Sequence, residues 1–213
     1  MNATRRRISI ALALAGVAPA LQAQQLRPGV DFVVLKPELP VDTQGKIEVI
    51  EFFWYGCPHC YTLEPLIEDW LKKLPADAAF RRVPAVFNER WAKDAAIFYA
   101  LEATGNLERL HRPLFDAIHK DGLRTDQGAA LGQWLTKNGI DTRKFDEAGR
   151  SFGVQSKVRR AAQLSTAYRI DGTPAMAVHG RYTVGAEQSK TQPAMLSTVD
   201  YLINLVRRTA PPK

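Results

Sequence analysis

The chain has 213 residues, 46% of them hydrophobic and 24% charged, which is enough for one substantial core and at most a small second domain. Its 29 Lys and Arg against 22 Asp and Glu give a net charge of +7, but no basic stretch is interleaved with aromatic residues, so nucleic-acid binding is not expected. The sequence contains no internal repeat and no low-complexity segment.

The first 23 residues have the pattern of a secretory signal peptide. A run of three arginines begins at Arg5, and residues 8–17 form a short, mainly apolar segment. The small residues that end at Ala23 offer a cleavage site. About ten apolar residues cannot span a bilayer, which needs ~20. We therefore expect residues 1–23 to be removed on export, which leaves 26 Lys and Arg against 22 Asp and Glu and a mature charge of about +4.

The segment that follows predicts the start of an α/β domain. Residues 31–35 predict a short strand, and residues 47–54, rich in β-branched and aromatic side chains, predict a central strand covered on both faces. From Pro58 to Leu74 the apolar residues recur at the spacing of an amphipathic helix. Residues 80–83 predict a second strand, parallel to the central one because a right-handed crossover would join them.

The middle of the chain, residues 88–152, carries helical signals and no strand signal. Apolar faces at helical spacing lie within residues 91–99, 107–118 and 131–135. Asp141 is a suitable N-cap for a fourth, short helix. The pattern predicts a helical block inserted between strands.

The last third returns to alternating elements. Residues 154–168 predict a helix, and residues 175–178 and 182–184 predict two short strands joined by a hairpin turn. A final amphipathic helix is predicted to begin at Pro193. The whole order indicates a mixed sheet with helices on both sides.

The only two cysteines, Cys57 and Cys60, are separated by two residues at the start of a predicted helix. A disulfide across so short a loop restricts the unfolded chain little, so a chemical role is favoured over a structural one. Cys57 would lie at the helix N-terminus, where unpaired amides and the helix dipole lower the pKa of a thiol. His59 could donate to the Cys57 thiolate. The pattern therefore indicates thiol–disulfide exchange.

The two cysteines have three alternative uses. A structural zinc site needs four ligands, and the four histidines do not provide a zinc-type pair. A cysteine-protease nucleophile would need a separate histidine base and would leave the second cysteine unexplained. An inert structural disulfide remains an alternative. We expect neither a metal nor another cofactor.

Residues 52–60, Phe-Phe-Trp-Tyr-Gly-Cys-Pro-His-Cys, resemble the active-site segment of the DsbA family of bacterial periplasmic thiol:disulfide oxidoreductases. The resemblance covers essentially the whole mature chain. It implies an α/β thioredoxin fold, a mixed sheet flanked by helices, interrupted by an all-helical domain. The thioredoxin-like domain would comprise residues 24–87 and 153–213, and the inserted helical domain residues 88–152.

The resemblance also implies the site residues around the catalytic pair Cys57 and Cys60. Pro58 and His59 would tune the pair from within the motif. Thr173 and Pro174 match the family's cis-proline loop, which lies against the active-site disulfide and presents backbone groups to a bound peptide. The threonine would place a hydroxyl near the sulfurs.

Two acidic residues match family positions near the site. Glu51 corresponds to a buried acid that assists proton transfer at Cys60, although a strand-end position reaching solvent is an alternative. Glu64 corresponds to a second acidic position, and a solvated helix residue is the alternative there. The family often has a lysine near Arg82, to which we assign no function.

The implied activity is that of a periplasmic dithiol oxidase. A thiolate of an unfolded exported polypeptide would attack Cys57, and a DsbB-like inner-membrane protein would reoxidise the cysteine pair. A monomer is expected. A reductase or isomerase on the same fold and a redox-inert binding domain are the alternatives, and an isomerase is disfavoured because the short segment between Ala23 and Ile47 leaves no room for a dimerisation domain.

Overall fold

The structure, a computed structural model, describes residues 26–209. The predicted signal peptide, residues 1–23, and its cleavage site lie outside the described residues. Between residues 26 and 209, no helix is both long and apolar enough to cross a membrane.

Five strands and seven helices follow one another in the described part of the chain, in the order that the sequence predicts. The elements are β1 Val33–Val34, β2 Ile47–Phe53, α1 Pro58–Leu71, β3 Ala78–Pro84, α2 Glu89–Ala103, α3 Leu107–His119, α4 Gly128–Lys137, α5 Thr142–Arg150, α6 Phe152–Ala167, β4 Ala175–Val178, β5 Tyr182–Val184 and α7 Gln192–Thr209.

The strands form a single mixed sheet in the order β1-β5-β4-β2-β3. As predicted, β2 and β3 are parallel, and β4 and β5 form an antiparallel hairpin; β4 is also antiparallel to β2. β1 pairs antiparallel with β5 at the edge of the sheet. It is shorter than the predicted strand 31–35 because only Val33 and Val34 find partners on β5.

Helices cover both faces of the sheet around the fully buried strand β2. Val49 belongs to a core that β2 shares with α1 and α7. Phe52, which points the other way, packs against Tyr168 next to α6, with ring centroids 5.3 Å apart. The prediction of a mixed sheet flanked by helices is therefore confirmed.

Helix α1 is shorter than its apolar spacing indicates. It runs through Pro65 and ends at Leu71 rather than Leu74. The chain tightens there, because the amides of Lys73 and Leu74 bond to carbonyls three residues back instead of four.

Helices α2 to α5 lie between β3 and α6 in the chain, as the helical block predicts. Asp141 caps α5 by accepting a hydrogen bond from the amide of Lys144 at 3.1 Å. Phe53 of β2 meets Phe98 of α2 and Phe115 of α3, with centroids 5.3 and 5.9 Å apart. The sheet and the inserted helices thus share one core, and the division into two domains stays a prediction.

Candidate active site

The two cysteines lie where β2 passes into α1. Cys57 is the residue before the helix, and its Sγ accepts a hydrogen bond from the amide of Cys60 at 3.5 Å. Pro58 occupies the first turn, where its missing amide removes no helical hydrogen bond. Both cysteines are free thiols in the structure; Cys57 is 7% exposed and Cys60 is fully buried.

Their surroundings give the two thiols opposite acidities. The hydrogen bond with the Cys60 thiol, together with the amides of Cys60 and His59, lowers the pKa of Cys57 to about 5 in spite of its burial. Burial raises the pKa of Cys60 well above its ordinary value. At neutral pH the reduced pair is therefore a Cys57 thiolate beside a Cys60 thiol, and Cys57 is a good leaving group.

His59 contributes to the site through its backbone. Its side chain is exposed, and its ring makes no hydrogen bond within residues 26–209. Its carbonyl accepts hydrogen bonds from Gln192 Nε2 at 2.6 Å and from Thr62 Oγ1 at 3.1 Å. Gln192, which the sequence analysis did not single out, thus ties the active-site turn to the start of α7.

Thr173 and Pro174 lie beside Cys57, although 116 residues separate Thr173 from it. The Thr173–Pro174 peptide bond is cis. When Cys57 is protonated, its thiol donates a hydrogen bond to the Thr173 carbonyl at 3.3 Å. This contact uses the backbone, whereas the Thr173 side chain is one of the groups that lower the pKa of Cys57.

Glu51 is fully buried within β2, so the alternative in which it reaches solvent is wrong. The parallel register sets it beside Arg82 of β3, with Arg82 Nε 3.2 Å from its Oε2. Neither carboxyl oxygen has a hydrogen-bond partner among the described residues. Burial, followed by the negative charge of Glu64, raises the pKa of Glu51 to about 8 in spite of Arg82. Glu51 is therefore mainly protonated at neutral pH.

Glu64 is also buried, with 1% of its surface exposed, so the alternative of a solvated helix residue is wrong. Arg82 donates to its two oxygens from Nε at 3.2 Å and from Nη2 at 2.8 Å. Burial alone would raise the pKa of Glu64, but the hydrogen bond from His111 and the positive charge of Arg82 lower it. Glu64 is therefore the ionised partner of Arg82.

Two residues of the site, His111 and Arg82, were not predicted from the sequence to have a role there. His111 Nε2 is 3.2 Å from Glu64 Oε1, and its Nδ1 is 2.9 Å from Tyr55 Oη. The sequence did carry a signal for His111, because it falls on the apolar face of α3, four residues after Leu107. The sequence carried no signal that His111 pairs with Glu64, since 47 residues separate the two.

The residues just before Cys57 are also held by the inserted helices. Trp54 Nε1 donates to Asp94 Oδ2 at 2.7 Å, and the Trp54 ring stacks on Trp91 with centroids 4.4 Å apart. A side chain at position 56 would collide with that ring, so Gly56 lets the chain pass close to the indole. The turn that carries Cys57 is thus packed against α2.

Comparison with known proteins agrees with this geometry. Residues 48–194 match the family model of the DSBA-like thioredoxin domain. The chain is 42% identical over 195 residues to thiol:disulfide interchange protein DsbA of Azotobacter vinelandii, covering 92% of this chain and 91% of that protein. It is 43% identical over 208 residues to the Bordetella parapertussis protein of the same name, covering 95% and 97%.

Solved structures show the same likeness. The crystal structure of Pseudomonas aeruginosa DsbA superposes with a TM-score of 0.80 at 38% identity, covering 84% of this chain and 94% of that one. DsbA of Xylella fastidiosa gives a TM-score of 0.80 at 29% identity, covering 87% and 100%.

The thioredoxin fold, with a Cys-x-x-Cys pair whose first thiol is strongly acidic, defines a thiol:disulfide oxidoreductase. Within that class, this chain belongs to the DSBA-like thioredoxin family. The family resemblance, the thioredoxin fold and the oxidoreductase activity predicted from the sequence are confirmed.

Proposed function

We propose that this oxidoreductase is a periplasmic dithiol oxidase, which donates its Cys57–Cys60 disulfide to newly exported polypeptides with free thiols. The acidity of Cys57 carries the proposal, because a stabilised thiolate favours the reduced form of the enzyme and makes its disulfide a stronger oxidant. Each pKa unit corresponds to ~1.4 kcal/mol, or ~30 mV for a two-electron couple. The signal-peptide pattern of residues 1–23 supports the location.

The reaction starts at Cys57, since Cys60 is fully buried. A substrate thiolate attacks Cys57 Sγ, a mixed disulfide forms, and the Cys57–Cys60 bond breaks with its electron pair on Cys60. The departing sulfur takes the proton of Glu51, which later recovers a proton from solvent. A second substrate thiolate then attacks the substrate sulfur of the mixed disulfide. Cys57 leaves as a thiolate, and two electrons have passed to the enzyme.

The neighbours of Cys57 serve binding and tuning in this proposal. Thr173 and Pro174 present backbone groups to the substrate peptide, which the contact between the Cys57 thiol and the Thr173 carbonyl supports. Pro58 and His59 start the helix whose amides stabilise the thiolate. We expect an apolar groove beside Cys57 and Pro174 to hold apolar side chains of an unfolded chain.

The reaction leaves both cysteines reduced, so an oxidant must restore the disulfide. A DsbB-like inner-membrane protein is the partner proposed for that step. The enzyme is expected to act as a monomer, because one chain contains every residue assigned to the exchange.

The experiment mixes the oxidised protein with a reduced, unfolded polypeptide that contains two cysteines. One substrate disulfide should form for each enzyme disulfide lost, as read by mass spectrometry after alkylation. Cys57→Ser is the inactive control. If the substrate stays reduced, the oxidase proposal fails. In that case, reduction of a supplied disulfide substrate would indicate a reductase. The absence of any exchange would indicate a redox-inert domain.

A further inference from the structure

Two buried carboxyls, those of Glu51 and Glu64, share one arginine below the cysteines. Arg82 donates two hydrogen bonds to Glu64, while its Nε lies 3.2 Å from Glu51 Oε2 without forming a hydrogen bond. If both carboxyls were ionised, one buried negative charge would remain uncompensated, at a cost of several kcal/mol. One of the two therefore keeps a proton, and something must decide which.

His111 contacts only one of the two carboxyls. Its Nε2 is 3.2 Å from Glu64 Oε1, and its Nδ1 is 2.9 Å from Tyr55 Oη. Because an ionised carboxylate can only accept hydrogen bonds, Nε2 carries the ring proton and Nδ1 accepts from the Tyr55 hydroxyl. Glu64 thus receives three donors, two from Arg82 and one from His111, whereas neither oxygen of Glu51 has any among the described residues.

We propose that His111 is a positioning residue for the exchange reaction: its hydrogen bond holds the negative charge on Glu64 and so keeps the proton on Glu51. The inference rests on the proposed role of Glu51 as the acid that protonates Cys60. The direction of the two pKa shifts, lowered for Glu64 and raised for Glu51, agrees with this division. Since His111 lies on α3, the inserted helices determine which carboxyl serves as the acid.

Other charged groups surround the pair and must be held constant in any test. His111, Glu64 and Arg82 line a cavity of about 620 Å³ between α1, β3, α2 and α3. The charged residues that face the same cavity are Glu68 of α1, Arg81 of β3, Glu102 of α2, and Glu108 and Arg112 of α3. The negative charge of the Cys57 thiolate also raises the pKa of Glu51, and the negative charge of Asp94 raises the pKa of Tyr55. Replacing His111 alone leaves all of these in place.

Two substitutions separate the hydrogen bond from the packing of the ring. His111→Gln can place an amide donor where Nε2 lies and keep the bond to Glu64. His111→Asn carries its amide near the position of Nδ1, so it loses that bond. If the Asn variant fails to fold, His111→Phe removes the same donor and suits the aromatic surroundings, since Phe53, Phe98 and Phe115 all lie against the His111 ring.

Infrared difference spectroscopy of the reduced protein at pH 7 reads the position of the proton directly. The wild type should show the high-frequency C=O band of a protonated buried carboxyl that receives no hydrogen bond, because neither oxygen of Glu51 has a donor among the described residues. In His111→Asn the band should shift to lower frequency, because the proton then lies on Glu64, whose oxygens still accept hydrogen bonds from Arg82. The His111→Gln protein should behave as the wild type.

Either of two results overturns the proposal. If the band of the Asn or Phe variant stays at the wild-type frequency, the bond from His111 does not place the proton. If the Gln variant changes in the same way as the Asn variant, packing rather than the donor is responsible.

The rate of exchange gives an independent readout. The rate constant, expressed per thiolate of a small attacking thiol at pH 7, should fall about tenfold or more in His111→Asn and stay within about twofold in His111→Gln. A positioned general acid typically contributes about 10²–10⁴-fold to the rate. An unchanged rate in the Asn variant contradicts the proposal. A wild-type protein that transfers no disulfide would instead refute the proposed function, while the infrared assignment would still be readable.

Discussion

Cys57 owes its acidity to its position rather than to any unusual neighbour. It receives hydrogen bonds at the start of α1, and the bond from the Cys60 thiol lowers its pKa the most. Its folded-state pKa of about 5 lies below the ordinary 9.0, so it stabilises the reduced folded protein partly at pH 7 and fully above pH 9. This contribution, of the order of a few kcal/mol, is lost as the pH falls through 5.

We expect alkylation of Cys57 in the reduced protein to titrate with a midpoint near pH 5. In Cys60→Ala the midpoint should rise, because the largest cause of the lowered pKa is the hydrogen bond with the Cys60 thiol. Ultraviolet absorbance of the thiolate provides a second measurement of the same ionisation. A wild-type midpoint near the ordinary value of 9 would contradict the thiolate assignment.

Glu51 predicts a pH dependence of stability with the opposite sense. Its pKa is about 8 in the folded protein and near 4.5 when exposed, so the folded state binds the extra proton between these values. The contribution of Glu51 to stability should therefore fall as the pH rises from 4.5 to 8, by an amount of the order of a few kcal/mol, and in the reduced protein it opposes that of Cys57.

In Glu51→Gln this dependence should disappear, and the variant should gain on the wild type progressively up to pH 8. Denaturant unfolding at several pH values measures it. Glu64→Gln is the matched control, because the pKa of Glu64 is lowered and its removal should destabilise the protein at neutral pH. Parallel curves for Glu51→Gln and the wild type between pH 5 and 8 would show that Glu51 is ionised in the folded state.

Among the residues of the site, the sequence predicts those that local pattern or family resemblance marks. Cys57 and Cys60 follow from their spacing, and Glu51 from the family resemblance. Arg82 and His111 take their roles from strand register and helix packing, over 18 and 47 residues of separation from Glu64. A single sequence does not show which residues this far apart in the chain meet in space, so the charge network could not be predicted.

At the scale of elements, the hairpin between β4 and β5 depends on one glycine. Gly180 has φ +66°, and a Cβ atom there would run into the carbonyl of Leu39. The same turn holds the segment after β1, because the Leu39 amide donates to the Gly180 carbonyl at 2.8 Å.

Gly180→Ala should lower the free energy of unfolding by more than about 2 kcal/mol, since both the backbone conformation and the contact oppose a side chain. Gly132→Ala, in α4 with open space around it, is the control and should be neutral or stabilising by up to ~1 kcal/mol. Denaturant unfolding at one pH compares the two. If the two substitutions change the free energy of unfolding equally, the turn at Gly180 accepts a side chain without loss of stability.

The type and order of the elements could be predicted, and their ends could not. β2 and α1 are long enough for their periodicity to be unambiguous. β1 ends where pairing with the three-residue strand β5 ends, and α1 ends where its last turn tightens before Pro75. Both ends are set by backbone hydrogen bonds, which the hydrophobic periodicity of the sequence does not describe.

At the scale of the whole molecule, distant parts of the chain converge on Cys57. The loop at Thr173 supplies a carbonyl, Gln192 of α7 holds the turn, and α2 packs on Trp54. The inserted helices therefore take part in the site as well as in the core. The sequence predicts such an insertion, but which of its side chains reach the active-site turn is a property of the packed molecule.

The most direct test of this account is the equilibrium of the Cys57–Cys60 couple with glutathione, measured at pH 7 together with the unfolding of the oxidised and reduced proteins. The account predicts that glutathione reduces the disulfide readily and that the reduced protein is the more stable form, because the Cys57 thiolate is stabilised only in the folded state. A disulfide that resists glutathione, in a protein more stable when oxidised, would contradict it.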